Sequence, residues 1–268
     1  MTGYLALSYW DLAAASIFLV LNAVFSLLLN LGLTRTLIVS ALRMTVQLLL
    51  VGLILKAIFF AGSLWWTLLA AAVMSVFAGR EIWARQDRRL KGLWGPGLGA
   101  GAMLIAGMLV TVYALVGQIR PDPVWAPQFA LPLFGMILGN TMTGVSLGLD
   151  TLHSALARGS RAVEAQLLLG RTKWEATRPL VRQALRSGFT PIINAMAATG
   201  VVSLPGMMTG QILSGVDPQE AVKYQLLIMF LLGGATGLGV LAATFGSVWR
   251  LTDNRHRLRL DRLSGGSA

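Results

Sequence analysis

An all-α polytopic membrane protein is the fold class this sequence predicts, and three observations predict it. Hydrophobic residues make up 55% of the 268-residue chain and charged residues only 12%. A soluble domain of this length could not hide so much apolar surface. The apolar residues fall into runs of about 20, the length that crosses a bilayer as helix. The lysines and arginines behind the net charge of +11 sit in short clusters between those runs, as basic loops held on one side of a membrane do. In a soluble chain such a charge would suggest nucleic acid; distributed this way it does not. The chain has no cysteine, which excludes disulfides, thiolate metal sites and a cysteine nucleophile.

Taken in order, residues 12–31 form the first span, with Tyr9 and Trp10 as interfacial anchors. No basic region precedes it, so it reads as a retained span and not a cleaved signal. The turn carrying Arg35 leads to a second span over 37–60, and Ala61-Gly62-Ser63 makes a tight return. A third span starts at Leu64 behind Trp65 and Trp66, reaches about residue 78, and runs into the basic loop 79–92. Residues 96–118 are the fourth span, followed by a proline-rich loop. Residues 129–149 are the fifth, interrupted by Pro132 and several glycines. A basic polar insert occupies about 151–187. Residues 189 to about 205 are apolar but broken by Pro191, Asn194 and Gly200, and 204–223 reads as a re-entrant or extracellular hairpin. A last long span covers 224–249, and the basic tail 250–268 ends flexibly.

With about seven crossings, Arg35, the loop 79–92, the insert and the tail all fall on one side. That predicts an outside N-terminus, a cytoplasmic C-terminus and a single transmembrane domain over 1–268. No internal repeat supports an inverted-repeat transporter.

The insert is organised as helix, glycine stop, helix. Ser160 is placed to cap a helix over 161–169. Gly170 suits the left-handed position that ends a helix, and Thr172 with Glu175 makes a capping box. Pro179 lacks an amide hydrogen, so the second helix is expected to kink or restart there.

Little in the chain resembles catalytic machinery. His153 and His256 are the only histidines, and they are not at metal-ligand spacing. No span holds paired carboxylates, and no phosphate loop is present, so the chain is not expected to bind ATP or to be an enzyme. Polar residues within spans are the candidates for a pathway. Arg43 and Gln47 lie in the second span, where Arg43 either snorkels to the interface or faces a path. Asn140, Thr141 and Thr143 sit among glycines in the fifth, which suits close helix packing slightly better than a pathway. Asn194, Met207, Met208 and Gln211 complete the set. Methionine usually fills gaps, and its thioether suits Cu(I) better than iron. Asp217 and Glu220 are hard oxygen ligands or simply a solvated loop. No metal site is assigned.

Glu164-Ala165-Gln166, then Gly170, then Pro179-Leu180, resembles the EAA loop of ATP-binding-cassette permeases, with Gln166 in place of an alanine and a slightly short distance to the proline. An amphipathic helix lying on the membrane is the alternative. Beyond that loop, the stretches LRMTVQLLLVGLIL, GREIWARQDRRLKG, MILGNTMTGVSLGLD, EAQLLLGRTKWEA and VVSLPGMMTGQILSGVDPQEAVKYQ resemble FetB-type permeases and their plant aluminium-tolerance relatives.

The resemblance implies a homodimeric permease in the bacterial plasma membrane, working with two copies of a separate ATPase that binds ATP and magnesium. Arg161, Glu164, Ala165, Leu168, Gly170, Arg171 and Trp174 would form the coupling surface. The implied activity is export of iron or an iron chelate; a sugar nucleotide or another polar or amphiphilic solute is the alternative, and a non-transporting scaffold a further one.

Overall fold

The computed structural model describes residues 8–253 and 257–264. It is nearly all helix, and six of its helices are long and apolar enough to cross a membrane. The chain divides into two compact units, residues 1–61 and 62–268.

The first unit is a pair of helices, α1 (Tyr9–Leu28) and α2 (Thr34–Ala61). Ser8 caps α1, its hydroxyl accepting the Trp10 and Asp11 amides while the Asp11 carboxylate accepts the Ser8 amide at 2.8 Å. The turn between the helices is tied by Thr34 Oγ1, which donates to the Ala23 carbonyl, and by Ser26 Oγ, which accepts from the Leu33 amide. Large apolar side chains stay exposed on most of both helices, as expected of segments solvated by lipid.

The second unit holds α3 (Leu64–Ala84), α4 (Trp94–Tyr113), α5 (Pro127–Arg158), α6 (Ser160–Leu168), α7 (Lys173–Ala198), α8 (Gly206–Leu213) and α9 (Pro218–Leu251). A π-helical turn, Ala114–Ile119, prolongs α4. Two short strands, β1 (Arg89–Leu90) and β2 (Leu263–Ser264), pair antiparallel. Helix α5 is central, packing against α3, α4, α7 and α9. Near its middle three backbones almost touch. A Cβ on Gly144 would stand 2.8 Å from the Gly188 carbonyl oxygen, and one on Gly188 would stand 2.6 Å from a Val240 methyl. Small residues allow that approach, as they do between helices in lipid generally.

One end of this unit gathers every basic segment it contains. His153 on α5 is fully buried, with Nδ1 2.9 Å from the Arg88 carbonyl and Nε2 2.7 Å from Ser247 Oγ on α9. The carbonyl can only accept, so Nδ1 carries the proton and Nε2 accepts from the serine. Asp150 accepts the Asp87 amide at 2.9 Å. The tail then returns: β2 pairs with β1, and Arg262 donates to the Arg250 carbonyl at 2.6 Å. Leu258, Leu260 and Leu263 pack into a cluster with Leu90, Leu152, Leu156 and Leu251.

Several expectations change. The tail, read as basic and then flexible, is folded over residues 257–264 because its leucines have a core to enter; His256 and the Gly-rich end at 265–268 lie outside the described residues, as do residues 1–7. Helix α7 does not restart at Pro179. It runs unbroken to Ala198 through both Pro179 and Pro191, since Ala176, Val181, Ala184, Gly188 and Ile192 bury one side of it along its length. The stretch 189–205 is therefore no helix of its own: it completes α7 and continues as a non-helical link to α8. Ser160 is the first residue of α6 and makes no capping bond; Gly159 occupies the cap. Asp217 caps α9, accepting the Gln219 and Glu220 amides, and Glu220 pairs with Lys223 at 2.6 Å.

Candidate functional site

Apart from Ser160 and Pro179, the insert is built as its local signals foretell. After α5 ends, α6 makes a little over two turns and stops at Gly170, whose φ of +84° is the left-handed conformation glycine tolerates. Thr172 opens α7 through a reciprocal capping box: its hydroxyl accepts the Glu175 amide while the Glu175 carboxylate accepts the Thr172 amide at 2.8 Å. Those bonds from Thr172, helped by the nearby Arg171 charge, hold the Glu175 carboxyl below its usual pKa. Val163 anchors α6, 3% exposed, in the cluster that also holds Ala176 and Val181 of α7. The other side of α6 is left largely uncovered by the described residues. Arg161, Glu164 and Ala165 are exposed, and at the tip Leu168 and Leu169 are 89% and 77% exposed. Arg171 is exposed beside them. Trp174 stacks edge-on against Phe245 at 5.8 Å, and the Lys173 ammonium lies 5.7 Å from its ring.

A second feature emerges only because α7 is continuous. Arg178, Arg182, Arg186, Thr190 and Asn194 recur at intervals of four residues and are all exposed. They form a polar stripe about 24 Å long at about 1.5 Å per residue. Residues from Trp174 through Thr190 on this side, with Ile193 and Phe245, line a groove of about 800 Å³. Beside the arginines runs an apolar row, Val181, Leu185, Phe189 and Ile193. Gly188 meets Gly144 near the middle of α5, and Ala184 lies level with Gly148. The three arginines thus flank the half of α5 that leads to the basic end, while Asn194 lies beyond the crossing.

The pathway candidates separate. Thr141 is fully buried, and a Cβ on Gly239 would stand 2.5 Å from its methyl, so it is a packing residue of the α5–α9 contact. Asn140 and Thr143 are partly buried and bond back to the Met136 and Gly139 carbonyls. Asn194 joins the stripe. Met207, Met208 and Gln211 lie on α8, where the Gln211 amide oxygen is buried without a partner. Arg43 and Gln47 are exposed on α2 of the first unit. Among the described residues no group of three or more His, Asp or Glu could hold a metal ion. The arginines of α7 had been read only as basic-loop charge; their spacing of four beside an apolar row is the signal that marks them as one face.

Six bilayer-length helices and a basic helical insert at one end define a multi-pass integral membrane protein. The chain belongs to the uncharacterised protein family UPF0014, whose model matches residues 9–251. It is 39% identical over 231 residues to UPF0014 membrane protein slr1647 of Synechocystis, covering 85% of this chain and 87% of that one. It is 31% identical over 233 residues to Protein ALUMINUM SENSITIVE 3 of Arabidopsis thaliana, covering 87% and 83%. It is 30% identical over 253 residues to a protein of Escherichia coli named "Probable iron export permease protein FetB", covering 94% and 95%. No solved structure matches the chain.

Proposed function

We propose that this chain is the membrane-spanning subunit of an ATP-driven transporter, and that a separate ATPase docks on α6. The observation that carries the proposal is the two-sidedness of that helix: Val163 is sunk in the core while Leu168 and Leu169 project from the tip, uncovered by the described residues. An apolar tip on an anchored helix suits insertion into a groove on another protein. Helix α7 counts as a crossing despite its charge, because it packs along α5 and α9. With it the crossings number about seven, which puts the N-terminus outside and the basic end in the cytoplasm. The working unit is a homodimer with two ATPase copies, in a bacterial plasma membrane. The name of the Escherichia coli relative favours export of iron or an iron chelate. The arginine stripe favours the second reading, a sugar nucleotide or another polar or amphiphilic solute.

The test is a paired substitution, Leu168→Asp with Leu169→Asp. Both side chains are solvent-facing, so the melting temperature stays at the wild-type value while co-purification of the ATPase and coupled ATP hydrolysis are lost. Undiminished co-purification in the variant, or none with the wild type, sinks the proposal.

A further inference from the structure

The charge of the cargo can be read from α7. Arg178, Arg182 and Arg186 project from one side of a helix that packs within the bundle, and none of their guanidinium groups has an ion pair or hydrogen bond among the described residues. Glu175, the carboxylate that shares their groove, is held toward Thr172, whose amide and hydroxyl both donate to its Oε2, and a single carboxylate leaves the row of three arginines with a net positive charge. With α7 taken as a crossing, as proposed above, guanidinium groups along it do not face hydrocarbon; they face a bundle interior, water or a bound anion. A row of unneutralised cations repels a bare metal ion, and among the described residues no oxygen or imidazole cluster stands ready to hold one. The same groove is apolar along its other wall, where Leu185, Phe189, Ile193 and the Phe245 ring stand. Its volume of about 800 Å³ is that of a site for a small organic molecule.

We infer that this groove binds an anionic solute with an apolar or aromatic body, its acid groups paired with the arginine forks and its body against the Phe189–Phe245 wall. Arginine recognises carboxylate, phosphate and sulfonate oxygens two at a time, which lysine does not. The occupant is a solute and not a lipid headgroup because the stripe continues through Thr190 to Asn194, past the Gly144–Gly188 crossing. A headgroup occupies only the interfacial layer. That the bound solute is cargo rests on the transporter reading above. An anionic metal chelate satisfies both; free ferrous or ferric ion does not.

The experiment uses the full chain in nanodiscs of zwitterionic phosphatidylcholine. The probes are naphthalenesulfonate and its cationic counterpart, naphthyltrimethylammonium. Binding is followed as Trp174 emission, isolated by subtracting a Trp174→Phe sample. The sulfonate binds saturably, and both the cation and the variant Arg182→Ala/Arg186→Ala are weaker by roughly tenfold or more. Replacing the same pair by lysine restores part of the loss. Should the alanine pair fail to fold, Arg186→Gln alone carries the comparison with a smaller factor. Equal binding of the two probes, or sulfonate binding indifferent to the arginines, overturns the inference. Displacement of the sulfonate by phosphatidylglycerol mixed into the nanodisc assigns the stripe to lipid and overturns it too. ATPase co-purification is read separately, so the transporter reading and this one fail independently.

Discussion

Replacing Gly188 with alanine adds one methyl group at the place where α5, α7 and α9 come closest. That methyl would stand 2.6 Å from a Val240 methyl on α9 and 2.9 Å from the Gly144 carbonyl on α5. Neither neighbour is the loose end of a long side chain: one is a fully buried valine and the other is backbone. Overpacking of this kind costs about 1–3 kcal/mol. Taken as about 2 kcal/mol, the loss lowers the melting temperature of a unit of this size by roughly 4–8 °C. Gly52→Ala is the matched control, because a Cβ there meets nothing within 4 Å. It should leave the melting temperature unchanged or raise it slightly.

The assay is thermal unfolding of the purified chain in one detergent, followed by tryptophan emission. A further variant locates the strain. Adding Val240→Ala to Gly188→Ala removes the closer of the two contacts but leaves the carbonyl, so recovery should be partial. The pair should be non-additive by about 1 kcal/mol. A Gly188→Ala protein as stable as wild type refutes the close crossing. So does strict additivity with Val240→Ala, which would mean that the two residues do not meet.

Two further predictions concern the basic end. His153→Ala leaves the Arg88 carbonyl and the Ser247 hydroxyl without their shared partner, a loss of about 1–3 kcal/mol. It should appear as a lower melting temperature together with faster hydrogen exchange at residues 88–90; unchanged exchange there would show that the ring does not hold the loop. Asp261 is paired with Arg259 through two hydrogen bonds of 2.9 Å, which lower its pKa from 3.8 to about 2. A depressed carboxyl stabilises the fold above its unfolded value and loses that contribution as pH falls. Protection of the β2 amides should therefore decline between pH 3.8 and about 2, and Asp261→Asn should remove that dependence. A titration that persists in the asparagine variant would assign it to another group.

What could be read from the sequence divides along physical lines. Thr172 with Glu175, and Gly170 after the last apolar pair, specify a cap and a stop through residues three apart, so the insert was legible without any tertiary information. The spans were legible because lipid imposes length and apolarity on each one separately. Thr141 stayed open between packing and a pathway for the opposite reason. A threonine in a span is costly in isolation, and only the position of Gly239 on a helix nearly a hundred residues later shows that it packs. The stripe on α7 was hidden by Pro179 and Pro191, which argue for a break when backbone bonds alone are weighed. The burial of Ala176, Val181, Ala184 and Gly188 outweighs the missing amides, and with continuity established the spacing of four becomes one face. The tail's return to β1 pairs residues 175 apart, Arg89 with Ser264, beyond the reach of any local pattern.

That continuity also bears on coupling. Val163 of α6 shares its cluster with Ala176 and Val181 of α7, and the cap at Thr172 leaves only a short turn between the two helices. From Thr172 onward α7 is helical to Ala198, so Arg178, Arg182 and Arg186 are carried on the same rod that rests against α6. A displacement imposed at the exposed tip, Leu168 and Leu169, therefore crosses only the short turn at Gly170 before it reaches the arginines. It meets close packing at the Gly144–Gly188–Val240 crossing, which leaves the rod little free space. A break at Pro179 would have put a hinge between the tip and the stripe. If the proposed docking on α6 holds, the unbroken helix carries the charged groove on the arm of α7 that lies between the docked tip and the crossing.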